Sequence, residues 1–245
     1  MHHVKNTSHY TALYFSKPVS CLSWAPIGGG RRNGIRYVIN RTLPKDNIRT
    51  ILDLQADAKQ FIAERGMQLP KTIAMLTTAS QTFLGRAIVR SNKGLLISTY
   101  CTVGLGNAVA PGEHAAYDEE AGQIPVQSGT INIIITINRN LTENAALELM
   151  HTVAMAKASV MVDLGIVNRS GKIKLATGTD CQAICWDPNH KTTLQFAGLH
   201  TRLAELVSNS IREAMISSLA KRLGVNPKSE AELFNLALSR LSATR

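Results

Sequence analysis

Hydrophobic and polar positions along this chain change period several times, and each change marks an element. The runs Ile73 to Thr77, Leu95 to Val103 and Ile131 to Ile137 are partly β-branched, the last two bounded by Gly or Asn, and predict three strands. A fourth is expected over Ala183 to Trp186. Cys21 to Ile27 and Ile35 to Ile39 flank Gly28-Gly29-Gly30 and predict two further strands around a glycine turn. Elsewhere the repeat is helical. Ile48, Ile51, Leu52, Ala58 and Ile62 recur at helical spacing between Asp46 and Arg65, with Gly66 as a stop. A longer stripe of Ala146, Met150, Val153, Lys157, Val160 and Leu164 steps by four and three; Thr142 caps it and Gly165 ends it. Leu203, Val207 and Ile211 predict a helix from Thr201 to Leu223, ended by Gly224. A last helix opens on the capping-box pair Ser229 and Glu232 and carries Leu233, Phe234, Leu236 and Leu241.

Strands come early, strands and helices mix later, and no regular strand-helix alternation appears. The expected fold is therefore α+β: a single domain over 1–224 with a mixed β-sheet packed by helices, plus a C-terminal helical extension over 225–245. With 245 residues, 44% of them apolar and 18% charged, such a chain can bury roughly 70% of its unfolded surface. Disorder, collagen and coiled coil are excluded. The longest apolar runs are short or interrupted by Asn132, Lys157 and Asp163, so no membrane span is expected. The first twenty residues hold three His, two Lys and no continuous apolar core, unlike a signal peptide, and a cytoplasmic location is expected.

The formal charge is +10, which raises the question of nucleic acid. Basic residues are scattered, however, and aromatics make up only 5%, so a stacking platform for single strands is missing and no nucleic-acid partner is expected. Of Cys21, Cys101, Cys181 and Cys185, only the last two are close in sequence, with no second pair to complete a metal site. Reduced thiols and no bound metal are expected.

Nucleotide P-loop, serine-hydrolase and zincin motifs are absent. Four glycine-rich polar clusters stand out instead, each beside a predicted strand: residues 22–30, 104–112, 129–133 and 176–180. Any one reads most simply as a tight turn. Four together also suit backbone approach to a ligand. Lys157 lies within the apolar stripe of its helix, as a snorkelling stem or as an ammonium aimed into a site. His200 stands at the inner corner of a helix start, where the dipole favours the neutral ring. Asp180 follows Thr-Gly-Thr, a setting that suits a turn cap as well as a catalytic carboxylate.

Taken in order, Ser128-Gly129-Thr130-Ile131-Asn132-Ile133-Ile134, Ala156-Lys157, Ala176-Thr177-Gly178-Thr179-Asp180 and Ala197-Gly198-Leu199-His200-Thr201-Arg202-Leu203-Ala204-Glu205-Leu206 closely resemble the adenosylcobinamide amidohydrolase family. The resemblance implies hydrolysis of the amide joining aminopropanol to the corrin ring's propionate, in corrinoid salvage or remodelling. It implies a corrinoid substrate and no cofactor beyond the cobalt that substrate carries. It leaves the oligomeric state open, a homo-oligomer included. Under it, His200 or Asp180 serves as base, Lys157 faces the oxyanion, and Glu205 orients His200. Ser23, Gly28, Gly29, Gly30, Asn107, Thr130, Asn132, Thr177, Gly178, Thr179 and Thr201 would contact substrate. Two departures stand out. The family pattern Thr-Glu-Ala-Lys reads Ala154-Met155-Ala156-Lys157 here, and a longer Thr-Gly-Thr-Gly-Thr-Asp run is shortened to Thr177 to Asp180. The missing glutamate motivates an alternative, a corrinoid-binding protein that does not cleave.

Overall fold

The computed structural model describes residues 2–43, 51–115, 118, 120, 129–167 and 171–225. Of the expected C-terminal extension over 225–245, all but Val225 lies outside the described residues, the helix expected from Ser229 included. The main strands are β1 (His2–Asn6), β2 (Tyr10–Ser23), β3 (Gly30–Thr42), β4 (Thr72–Thr77), β5 (Gly85–Arg90), β6 (Leu96–Val103), β8 (Ile131–Ile137) and β11 (Cys181–Trp186). Among the described residues three α-helices accompany them: α1 (Ile51–Glu64), α2 (Glu143–Asp163) and α3 (Arg202–Leu223). Short strands β7 (Ala108–Val109) and β10 (Ala176–Thr177) pair with each other, as do β9 (Asn140–Leu141) and β12 (Thr193–Leu194).

The long strands form one mixed sheet in the order β4-β3-β2-β11-β8-β6-β5, with β1 added to the first half of β2. Pairings β3–β4 and β8–β11 are parallel and the others antiparallel, which makes the domain α+β. The sheet curls strongly. Asn40 on β3 donates to Thr102 Oγ1 on β6 at 2.8 Å, and Asn132 on β8 donates to the Leu76 carbonyl on β4 at 3.0 Å, although three strands separate each pair in the ladder order.

Alternation of side chains then fills three spaces. Inside the curl lie Leu13, Val38, Ile73, Met75, Tyr100, Ile134 and Ala183. On one outer face, α2 and α3 cover Ile131, Ile133, Ile135, Ile137, Ile184 and Trp186. On the other, Ala58, Phe61 and Ile62 of α1 cover Ala12, Ile39 and Ala74. Because both faces are covered, all seven residues of β8 are buried.

Both later helices begin and end where the sequence places them. Thr142 Oγ1 accepts from Ala145 N at 3.2 Å, and Thr201 Oγ1 accepts from Ala204 N at 3.1 Å. The amino-terminal strands differ from expectation. The strand expected over Cys21 to Ile27 ends at Ser23, and the ladder instead runs back to Tyr10. Its first half is disguised by Ser16-Lys17-Pro18, where the register to β3 shifts between Tyr14 and Val19; a proline has no N–H for the ladder and settles at such an irregularity. Helix α2 also departs from expectation, since over its 21 residues it holds an 18-residue window of mean hydropathy 1.3, the length and composition of a membrane span. Here it packs on the sheet and α3, with Lys157 of its inner stripe ion-paired.

Candidate active site

Lys157 and Asp180 meet across the interface of α2 with the sheet. The ammonium is ion-paired to Asp180 Oδ2, with the two side chains 11% and 10% exposed. The other carboxylate oxygen accepts the Thr177 hydroxyl and, at 3.1 Å, the backbone N–H of Ile131. Both oxygens of Asp180 are therefore engaged, by one charged and two neutral donors. That compensation is what a largely buried ion pair requires. Lys157 falls in the apolar stripe because the stripe faces the sheet, and Asp180 immediately precedes β11 there.

Three of the glycine-rich segments converge on this pair. Thr130 and Thr179 hydroxyls lie 2.7 Å apart, and Thr179 Oγ1 also donates to the Gly129 carbonyl at 3.0 Å. Asn107 donates from Nδ2 to Thr179 Oγ1 at 3.3 Å, while its carbonyl accepts from Gly178 N at 3.3 Å. Gly129 N donates to Thr78 Oγ1 at 2.8 Å. Gly129, at φ 120°, makes this crowding feasible: a Cβ there would sit 2.6 Å from Gly106 N and 2.7 Å from Asn107 N. Gly178 and Thr179 face solvent, so the turn is reachable from outside.

The fourth segment joins through its side chains. Ser23 Oγ donates to the Gln182 carbonyl at 2.7 Å and accepts from Ala25 N at 3.0 Å. Trp24, which sequence reasoning left out of the site, donates from its indole N–H to the Asp180 carbonyl at 2.8 Å. Gly28 packs against the Thr72 carbonyl on the β4 side, and Gly30 starts β3. Asn132 follows Ile131, whose N–H bonds Asp180, but turns into the curl. There it donates to Asn40 Oδ1 at 2.7 Å and to the Leu76 carbonyl at 3.0 Å, within a polar layer of Thr11, Gln81, Asn40 and Thr102. The side-chain Oδ1 oxygens of Asn107 and Asn132 are buried without a hydrogen-bond partner among the described residues.

His200 is not brought to Lys157 or Asp180 by any hydrogen bond or ion pair in the described residues. Its segment is fastened to another side of α2: Ala197 N donates to Glu148 Oε2 at 2.6 Å, and Thr152 Oγ1 donates to the Ala197 carbonyl at 2.9 Å. Five residues on from Thr152, Lys157 points about 140° further round the helix. The adjacent Leu199 lines a groove of about 320 Å³ with Met155, Ser159, Asn209 and Arg212. His200 itself is exposed. Glu205, expected to orient His200, instead pairs with Arg202 at 2.5 Å, and Thr201 caps α3. Met155, the position of the missing family glutamate, is 47% exposed on the outer side of α2 with Leu199, away from Lys157.

All four cysteines are buried and free. Burial, then the charge of Asp180, pushes the Cys101 thiol up against the pull of Lys157, and burial pushes Cys181 up to about 12. Neither is a ready nucleophile near neutral pH. Among the described residues no cluster of three His, Cys, Asp or Glu side chains is placed to hold a metal.

Fold and site thus define an α+β protein whose polar centre is a buried lysine–carboxylate pair, set where glycine-rich turns gather at one end of a curled sheet. The chain belongs to the adenosylcobinamide amidohydrolase family, CbiZ, whose model matches residues 1–227. An uncharacterized protein of Methanocaldococcus jannaschii, MJ1613, is 29% identical over 94 residues, which span 38% of this chain and 37% of that protein. Among solved structures, the PH0078 protein of Pyrococcus horikoshii aligns with 88% of this chain and 78% of its own at 13% identity and a TM-score of 0.45. A β-aminopeptidase of Burkholderia sp. aligns with 94% of this chain and 86% of its own at 10% identity and a TM-score of 0.46.

Proposed function

We propose that this protein hydrolyses the amide between aminopropanol and the corrin propionate of adenosylcobinamide, releasing adenosylcobyric acid and aminopropanol. Membership of the family supports the substrate class. The observation that carries the chemistry is the Lys157–Asp180 pair, held beside the hydroxyls of Thr130 and Thr179 under a solvent-facing turn.

In this reading the scissile carbonyl enters over Gly178 and Thr179. Asp180 takes a proton from the attacking water as the carbon–oxygen bond forms, and Lys157, still an ammonium, turns to the developing oxyanion. The tetrahedral intermediate collapses by breaking the carbon–nitrogen bond. The proton held on Asp180 passes to the departing amine, so one carboxyl acts first as base and then as acid. Three donors on Asp180 favour this assignment over His200, since they fix the carboxylate where Lys157 lies.

The test is incubation with adenosylcobinamide and detection of both products by mass spectrometry. Asp180→Asn and Lys157→Met should each lower turnover by about 100-fold or more, the scale of a lost general acid–base or electrostatic group. His200→Ala should stay near the wild-type rate. If His200→Ala abolishes turnover while Asp180→Asn does not, the base is the histidine and this mechanism is wrong.

A further inference from the structure

Trp24 is 50% exposed, whereas Trp186, the chain's other tryptophan, is 1% exposed in the core. A large aromatic left in water contributes little to stability. Yet this one is held on three sides. The preceding Ser23 is fastened to β11 through the Gln182 carbonyl, and the following Ala25 is buried with its N–H on Ser23 Oγ. Its own indole N–H is spent on the carbonyl of Asp180, the residue at the heart of the candidate site. The polar edge of the ring is therefore fixed, its broad apolar face is open, and its rotamer freedom is already lost. An aromatic so arranged binds ligand surface without a further ordering penalty.

We propose that Trp24 is the platform on which the ligand's macrocycle rests, its indole face packed against the apolar, methyl-bearing corrin ring while the amide arm reaches the Lys157–Asp180 pair. This rests on the amide-hydrolysis reading above and adds to it the residue that selects a broad ring system over a small amide. Phe196 offers the internal comparison. It is 67% exposed, and it neighbours Ala197, whose backbone is fastened to Glu148 and Thr152 on the side of α2 away from Lys157.

The experiment separates affinity from chemistry. Binding of adenosylcobyric acid, the product, which has no scissile aminopropanol amide left to turn over, is measured by titration calorimetry; kcat and KM are measured with adenosylcobinamide. Trp24→Ala should weaken binding by about tenfold or more and raise KM in step, with kcat at saturation within about threefold of wild type. Trp24→Phe, which keeps a ring but lacks the N–H, should restore most of the affinity, and Phe196→Ala should bind as wild type does. Unchanged binding by Trp24→Ala overturns the platform. So does a fall in kcat at constant affinity, which would mean that the indole N–H only steadies Asp180. If the wild-type protein neither binds nor cleaves corrinoid, the functional reading has failed and takes the platform with it. An active wild type with an indifferent Trp24→Ala sinks the platform alone.

Discussion

An ammonium and a carboxylate, each with about a tenth of its side chain in water, hold one another in place between α2 and β11. Removing either leaves the other buried and uncompensated, which for such pairs costs about 3–5 kcal/mol, whereas removing both together costs far less. Asp180→Ala and Lys157→Ala should therefore each lower stability strongly, and the double variant should lie well above the sum of the two. Urea unfolding of all four proteins measures this coupling, and additive losses would show that the pair is not the buried unit described. His200→Ala should unfold within about 0.5 kcal/mol of wild type, since the ring is exposed and makes no hydrogen bond among the described residues. Lys157 and Asp180 were each legible in sequence, one as a charge in an apolar stripe and the other as the end of Thr-Gly-Thr. Their pairing was not, because contact between a helix and a distant strand leaves no periodic trace. Trp24 was invisible for a similar reason: its bond goes to a backbone carbonyl, and any residue has one of those.

At the scale of elements, α3 comes against β5 without side chains between them at Gly85. A Cβ on Gly85 would fall 1.8 Å from the Ala214 carbonyl, so helix and strand touch backbone to backbone there. Gly85→Ala must push α3 outward and should destabilise by several times the loss expected from Thr201→Ala, which removes one cap and costs about 1 kcal/mol. Thermal melting of the two variants compares them directly. Helices α2 and α3 were legible to within a residue because caps, stripe and glycine stop agree at each end. The strands read less well. β5 alternates buried and exposed positions, but Ile88 stands half exposed on its outer side and hides that alternation in the sequence, and β1 is a polar segment recruited by the ladder of β2. Which side of α2 faces the sheet decided the fate of the candidate residues. The stripe of α2 marks that side and places Lys157 on it, but it does not show that the 195–200 segment docks on another side of the helix and takes His200 with it.

At the scale of the whole molecule, the curled sheet brings its amino-terminal strand over the interior. His2 on β1 bonds the Tyr100 hydroxyl of β6 at 2.8 Å, and burial, with positive charge nearby including Arg86, lowers its pKa from 6.5 to about 4. A base whose pKa is lower in the folded state is protonated more readily in the unfolded chain. Stability should therefore fall as pH drops through 6.5 towards 4, and the penalty should be complete below that. His2→Gln should flatten this part of a melting-temperature profile between pH 7.5 and 4; an unchanged slope would assign the loss to other groups.

The same curl has a consequence in time. Ser23, Asn107, Thr130, Lys157 and Asp180 come from segments that meet only after β2, β8 and β11 are side by side, and the parallel β8–β11 pairing must wait for α2 to cross between them. Local contacts alone cannot bring Lys157 to Asp180, and closing long loops before they are rewarded makes folding slow. During refolding, ligand affinity should therefore return only with the slowest phase of structure formation. No fragment ending before β11 should bind even weakly, so the nascent chain would leave the ribosome's shelter without a working pocket until about three-quarters of it had been made.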